Sequence, residues 1–420
     1  MSDLLKDKVQ LQALDPERIS KNLQTIRTAI HSRIIGQNAA IDSVTDALAV
    51  QDARLSNPKR PRLVLLAAGP TGVGKSLLAK TLAWAWLGDE RACSQINCGS
   101  MSKANEHYAA GTLLGSASGY VGSDRTPLLS YRNLNSWRQQ VVSDVNQPQS
   151  CVILFDEIEK ASESLWTILL SIMDEGTVTL GDNTTVDLSQ AVIILTCNSG
   201  TLEAAKANAC GNLGFVQSEK DSTESIILRN IESRFAPEWV NRIDKIVVFR
   251  SLDKGDVYEI LLLELGDVQR RILSSPLPFL VSMSDNAKNL LLEESWSPKY
   301  MAREVRRVVD RRVLQSLAKM VTSGQIARGS VVFIGAHEGK LTFATEVKQS
   351  QTIIPVQIEM EVAAIDVSDS GSSDLDADKH DIAAWFDSLP VASVKDEIDF
   401  PYGYNPDVDP TKDFIEQTNQ

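Results

Sequence analysis

The segment Gly69-Pro70-Thr71-Gly72-Val73-Gly74-Lys75-Ser76 constrains this chain more than any other. It follows the continuous apolar run Leu63–Ala68 and opens the helical stretch Lys75–Leu87, with Leu77 in its first turn. A glycine-rich loop ending in Lys-Ser between a strand and a helix lets backbone N–H groups wrap phosphates at a helix N-terminus. Lys75 supplies a point charge to β- and γ-phosphates, and the Ser76 hydroxyl is suited to ligate Mg²⁺. A plain glycine-rich turn would not need the strand, the Lys-Ser pair and the helix together.

Such a loop belongs on a parallel sheet, and the chain supplies one. Apolar runs recur at Ala92–Cys98, Cys151–Phe155, Ala191–Thr196 and Lys245–Phe249, separated by helical stretches such as Glu163–Met173. Several are continuous rather than alternating, as expected of strands covered on both faces. Strand–helix alternation predicts a doubly wound α/β sheet with helices on both faces.

Two of these runs end in chemistry. Cys151–Phe155 leads into Asp156-Glu157. Asp156 is placed to hold Mg²⁺, and Glu157 to orient and polarise an attacking water. Ala191–Thr196 leads into Cys197-Asn198, whose amide can hold that water or the γ-phosphate. An asparagine after a strand is by itself a turn residue; its order in the chain gives it the functional reading.

After Leu252 the texture is helical, near 254–274, 284–294 and 301–322. Two short strands follow near Ser330–Ile334 and Lys340–Phe343, joined through Glu338-Gly339. This predicts a smaller, mostly helical second domain. At the other end Asp15-Pro16 reads as a helix start, with Ile19, Leu23, Ile26 and Ile30 on one face. The expected organisation is an N-terminal helical segment 1–30, a large nucleotide-binding domain 31–251, a small lid 252–345 and an acidic tail 346–420.

Charge separates the tail from the rest. The chain of 420 residues has a formal charge of −13, and residues 346–420 hold 17 Asp and Glu against four Lys and no Arg. The body is therefore neutral, which argues against a nucleic-acid machine. The tail, Ser/Asp-rich over Asp366–Asp381, is expected to be disordered. Its apolar islands at Ile382–Phe386 and Phe400–Tyr404 read either as recognition elements or as parts of a solubilising tail. No run of about 18 apolar residues spans a membrane, and the start has no signal-peptide core. The five cysteines lack zinc-site spacing and read as reduced thiols of a cytoplasmic protein.

Together these elements resemble an AAA+ ATPase of the Clp family, and most of all the second ATPase module of the unfoldases ClpA, ClpB and ClpC. The resemblance covers about residues 31–345. Arg33-Ile34-Ile35-Gly36-Gln37 is similar to the family segment that brackets adenine, which implies nucleotide contact at Ile34 and Ile35. Asn198 falls at the sensor-1 position. Phe235–Asp244 resembles the stretch bearing the arginine finger, which implies that Arg242 acts across a subunit boundary in a homo-oligomeric ring, a hexamer in this family. Tyr300-Met301-Ala302-Arg303-Glu304 resembles the sensor-2 motif, placing Arg303 on the γ-phosphate. Gly119-Tyr120-Val121-Gly122 is similar to the central pore loop, with Tyr120 and Val121 gripping polypeptide. Leu213-Gly214-Phe215 resembles a peptidase-docking tripeptide.

The sequence departs from the family pattern at Ser116-Ala117-Ser118, where prolines are usual, over a long Asp124–Pro148, and at Ala236, where arginine is common. The resemblance implies an ATP- and Mg²⁺-dependent ring motor that unfolds or remodels proteins. The alternative is an assembly or regulatory ATPase that remodels one dedicated partner without threading it.

Overall fold

The computed structural model describes residues 15, 18–53, 55–101, 106–116, 125–138, 150–198, 223–297 and 300–345. The Tyr120–Val121 loop, Leu213–Phe215, Cys210 and the tail 346–420 lie outside the described residues.

The strands read from apolar runs form one parallel sheet. β1 (Leu63–Ala68), β2 (Cys93–Asn97), β3 (Val152–Asp156), β6 (Val192–Cys197) and β7 (Lys245–Val248) stand in the order β2-β3-β6-β1-β7. β1 pairs in parallel with β6, Leu63 opposite Val192, and with β7, Leu65 opposite Lys245. The continuous apolar runs have the expected cause. Leu63, Leu65 and Ala67 enter one core, while Val64, Leu66 and Ala68 enter the other. Each fully buried Leu or Val there contributes about 1.5–3 kcal/mol of transfer free energy. Between β3 and β6 lies the hairpin of β4 (Thr177–Thr179) and β5 (Thr185–Asp187), which the apolar pattern does not signal.

The first core is covered by α1 (Lys21–His31), α2 (Asn38–Asp52) and α3 (Lys75–Leu87). α1 corrects the expected start at Asp15-Pro16. Its cap is Ser20, whose hydroxyl accepts from the Leu23 N–H at 3.2 Å, satisfying an otherwise orphan donor. Leu23, Ile26 and Ile30 do form its buried face. The second core is closed by α6 (Glu163–Glu175), with α4 (Glu106–Leu114), α5 (Tyr131–Leu134), α7 (Thr223–Arg234) and α8 (Pro237–Val240) in the segments between the strands.

The second region follows the sequence reading. α9 (Lys254–Leu273) opens with a reciprocal Asp253–Asp256 capping box, and α10 (Asp285–Ser295), α11 (Ala302–Val309) and α12 (Gln315–Thr322) follow. Residues Asp310–Leu314, between the last two, have π-type bonding. β8 (Leu280–Met283), β9 (Val331–His337) and β10 (Lys340–Thr345) make a second sheet in the order β10-β9-β8. The β9–β10 turn falls at Glu338-Gly339, both at positive φ, as a two-residue hairpin requires.

Candidate functional site

The strand order reverses around β1: its crossover leads to β2 at one edge, the chain returns through β3 and β6, and β7 flanks β1 on its other side. Open α/β sheets bind ligands at the carboxyl ends of their strands at such a switch point. All the phosphate-site candidates of the large region emerge there.

The loop after β1 is pressed between two elements. A Cβ on Gly69 would lie 2.4 Å from the Phe249 carbonyl oxygen beyond β7. A Cβ on Gly72, where φ is +80°, would lie 2.5 Å from the Tyr300 carbonyl oxygen. Glycine is therefore required at both positions for backbone to approach backbone. The Ala302 N–H donates to the Gly72 carbonyl at 3.2 Å, so the start of α11 rests directly on the loop. Arg303, in that same turn, is exposed. Pro70 and Thr71 are half-buried at the loop's crest, Val73 is buried beneath it, and Gly74 caps α3 in a left-handed conformation.

Lys75 is buried, and its ammonium donates to the carbonyls of Gly69 (2.8 Å) and Pro70 (2.5 Å) and to Asn198 Oδ1 (2.8 Å). Burial lowers its pKa to about 8, opposed by the nearby negative charge of Glu159. Ser76 Oγ donates to Asp156 Oδ1 at 3.0 Å, so a hydroxyl and a carboxylate oxygen face one another as a hard divalent cation needs. Thr196 Oγ1 donates to the same Asp156 oxygen at 2.5 Å, and Gln95 Nε2 to the other at 3.2 Å. The residues present thus fit a nucleotide phosphate chain with Mg²⁺: glycine backbone, a buried cation and paired oxygen donors at the switch point.

Glu157 has φ of +60°, a left-handed conformation that is strained for a side-chain-bearing residue. Its N–H donates to Thr196 Oγ1 at 3.0 Å, and its carboxylate accepts from Lys160 at 2.8 Å. Asn198 Nδ2 donates to Glu159 Oε1 at 3.1 Å. Thr196, Glu159 and Lys160 are partners that sequence reasoning missed. The available signal for Thr196 was a lone hydroxyl inside an apolar strand, two residues before Asn198.

The Ile34–Ile35 segment lies beside the loop. Ile34 is buried, with Cγ2 3.5 Å from where a Gly74 Cβ would stand, and Ile35 is half-buried. Gln37 exchanges two hydrogen bonds with the Arg250 backbone, at 2.9 and 3.0 Å. Leu77 is 42% exposed and points away from the core. Arg242 stands elsewhere: it forms an ion pair with Asp174 at the end of α6, and its carbonyl accepts from Arg60 at 2.6 Å. The structure therefore brings together Gly69–Ser76, Asp156, Glu157 and Asn198, places Ile34 and the Arg303 turn against the loop, and keeps Arg242 in a separate contact.

Residues 60–246 match the family described as the AAA domain (Cdc48 subfamily), and residues 252–334 match the C-terminal, D2-small domain of ClpB protein. The chain belongs to the Clp-type AAA+ ATPases. Its relatives include a ClpA homolog of Pyropia yezoensis, 36% identical over 331 residues, covering 77% of this chain and 38% of that protein. Heat shock protein 104 of Schizosaccharomyces pombe is 32% identical over 79% of this chain and 34% of its own length. Among solved structures, the closed-state cryo-EM reconstruction of Hsp104 with ATPγS and FITC-casein aligns with a TM-score of 0.63 at 26% identity, over 78% of this chain and 53% of that one. This Clp-type module thus spans between about a third and two-fifths of the curated relatives it matches. The site at its switch point is a nucleotide site. Among the described residues no helix is long and apolar enough to cross a membrane.

Proposed function

We propose that this chain is an ATP-hydrolysing ring motor that unfolds or remodels proteins. The observation that carries the reading is the convergence of Lys75, Ser76, Asp156, Glu157 and Asn198 at one switch point, with the lid's Tyr300–Arg303 turn resting on the phosphate loop. Lys75 exchanges its carbonyl partners for β- and γ-phosphate oxygens. Ser76 and Asp156 hold Mg²⁺, which when bound neutralises charge on the phosphates. Glu157, once released by Lys160, accepts the proton of the attacking water. Asn198 orients that water or the γ-phosphate. Arg303 senses the γ-phosphate from the lid of the same subunit, so that lid angle follows nucleotide state.

Arg242 acts on a neighbouring subunit's nucleotide, which requires a homo-oligomeric ring, a hexamer in this reading. Its contact with Asp174, away from its own phosphate loop, supports a role in trans. Tyr120 and Val121 grip substrate in the pore. The reconstruction of the related Hsp104 with casein supports a protein substrate.

The test separates chemistry from work. Lys75→Ala is expected to lose nucleotide binding, and Glu157→Gln to bind ATP and barely hydrolyse it. Tyr120→Ala is expected to keep ATPase activity and to stop unfolding a tagged model protein. Unfolding that survives Tyr120→Ala with ATPase intact would favour remodelling of one dedicated partner instead. Wild-type turnover in Glu157→Gln would remove the catalytic assignment.

A further inference from the structure

Asp156, Glu157 and Glu159 leave one short turn, yet the reaction as described uses only the first two. Glu159 stands on the other side of Asn198 from Lys75. The polarity of that bridge is forced. An ammonium can only donate, so Asn198 meets Lys75 with Oδ1; a carboxylate can only accept, so Asn198 meets Glu159 with Nδ2. Two oppositely charged residues therefore fix which way the amide faces.

The second oxygen of Glu159 is the other informative feature. Its Oε2 is buried and has no hydrogen-bond partner. Burying a carboxylate oxygen unpaired is unfavourable, so a carboxylate kept there calls for a cause other than packing. The turn that carries it is rigidly held. Ile158 beside it is fully buried, Lys160 N–H donates to the Glu157 carbonyl at 2.9 Å, and Arg234 donates to the Glu159 carbonyl at 2.8 Å. Arg234 ends α7, and the next residues, Phe235 and Trp239, stack with Trp166 of α6 at centroid distances of 4.7–4.9 Å. α6 in turn carries Asp174, the partner of Arg242.

We propose that Glu159 is a positioning residue for ATP hydrolysis, fixing the orientation of the Asn198 amide beside Lys75 and the phosphate loop. The inference rests on the ATPase reading of the same site. When Lys75 turns to phosphate, its bond to Asn198 Oδ1 breaks while the Glu159 bond remains. The Glu159 bond then keeps the amide from flipping. Because Glu157 and Glu159 share one turn, the water-activating carboxylate and the amide that orients the water are set by a single piece of backbone. Arg234 ties that piece to the segment leading to Arg242.

The test compares full-length wild type with Glu159→Met, which keeps length and removes the acceptor, Glu159→Ala, and Glu159→Gln, whose Oε1 still accepts. Steady-state ATP turnover, equilibrium binding of a fluorescent ATP analogue and the thermal midpoint are measured for each. In Glu159→Met, kcat is expected to fall about 30-fold with nucleotide affinity held within about 3-fold, short of the 10²-fold that an ångström of misplacement costs. Glu159→Gln should restore kcat to within about 3-fold of wild type, since the bond is kept. Combined with Asn198→Ala, Glu159→Met should lower kcat no further, because the two act as one unit.

Wild-type kcat in both Glu159→Met and Glu159→Ala overturns the proposal and leaves the ATPase reading standing. So does equal impairment of Glu159→Gln, or a double variant whose losses multiply. A wild-type protein that binds nucleotide and never hydrolyses it removes both.

Discussion

Thr196→Val isolates the residue that ties the ends of β3 and β6 together at the nucleotide site. Thr196 is 1% exposed, and its hydroxyl donates to Asp156 Oδ1 while accepting from the Glu157 N–H. Valine keeps the branched shape and removes both bonds. Losing a donor to a carboxylate costs about 1.5–3 kcal/mol, and stranding a buried N–H about 1–3 kcal/mol. Asp156 retains Ser76 and Gln95, and Glu157 is only half-buried, so the lower ends apply. The sum is about 2–3 kcal/mol, or a thermal midpoint lowered by about 3–5 °C for a body of roughly 300 residues.

Turnover should fall further than affinity in that variant. The Thr196 hydroxyl accepts from the N–H of Glu157 in its left-handed conformation, so its loss frees that backbone while Lys75 and the glycines are untouched. Thermal melts of the nucleotide-free protein and steady-state ATP turnover read the two effects, with Thr196→Ser expected to recover most of both. A Thr196→Val protein that melts within about 1 °C of wild type and turns over normally would refute the reasoning, because no accounting of the two bonds gives so little.

Arg242→Ala should still assemble but hydrolyse about 10³-fold more slowly or worse, and mixing it with Lys75→Ala should restore activity at interfaces pairing two intact halves; no rescue at any ratio would exclude a shared site. Nucleotide affinity should be flat below pH 8 and fall above it. The free Lys75 ammonium titrates at about 8 and phosphate holds the proton, so affinity drops by at most about tenfold per pH unit. Lys75→Arg, whose guanidinium does not titrate there, should show no such fall in a binding titration across that range. Gly72→Ala places a Cβ 2.5 Å from the Tyr300 carbonyl in a left-handed conformation that itself costs about 1–2 kcal/mol, so the lid contact should break and the thermal midpoint drop.

What was legible in the sequence was whatever local pattern determines. β1, β3 and β6 were visible because burial on both faces demands unbroken apolar runs, and the phosphate loop because its glycines have no substitutes. Partnerships formed only on folding were hidden. Ser20 rather than Asp15-Pro16 caps α1, and nothing local separates serine from aspartate as a helix start. The β4–β5 hairpin is too short and too polar to show a period, and the four residues of β8, though mostly apolar, are too few to be told from a helical turn. Arg242 could be singled out by the resemblance, but Asp174 could not, because nothing local relates them. Glu159 carries no local signal of its own, because its contact with Asn198, and through it with Lys75, forms only on folding.

The stack of Trp166, Phe235 and Trp239 makes the motion of the Arg242 segment optically visible. The two indoles are 4.9 Å apart and inclined by 44°, close enough for their excited states to couple and give a paired circular-dichroism signal. Trp166 belongs to α6 and Trp239 to α8, three residues before Arg242. Any step that lifts the segment from α6 separates the two chromophores, so the molecule carries its own optical label for that displacement.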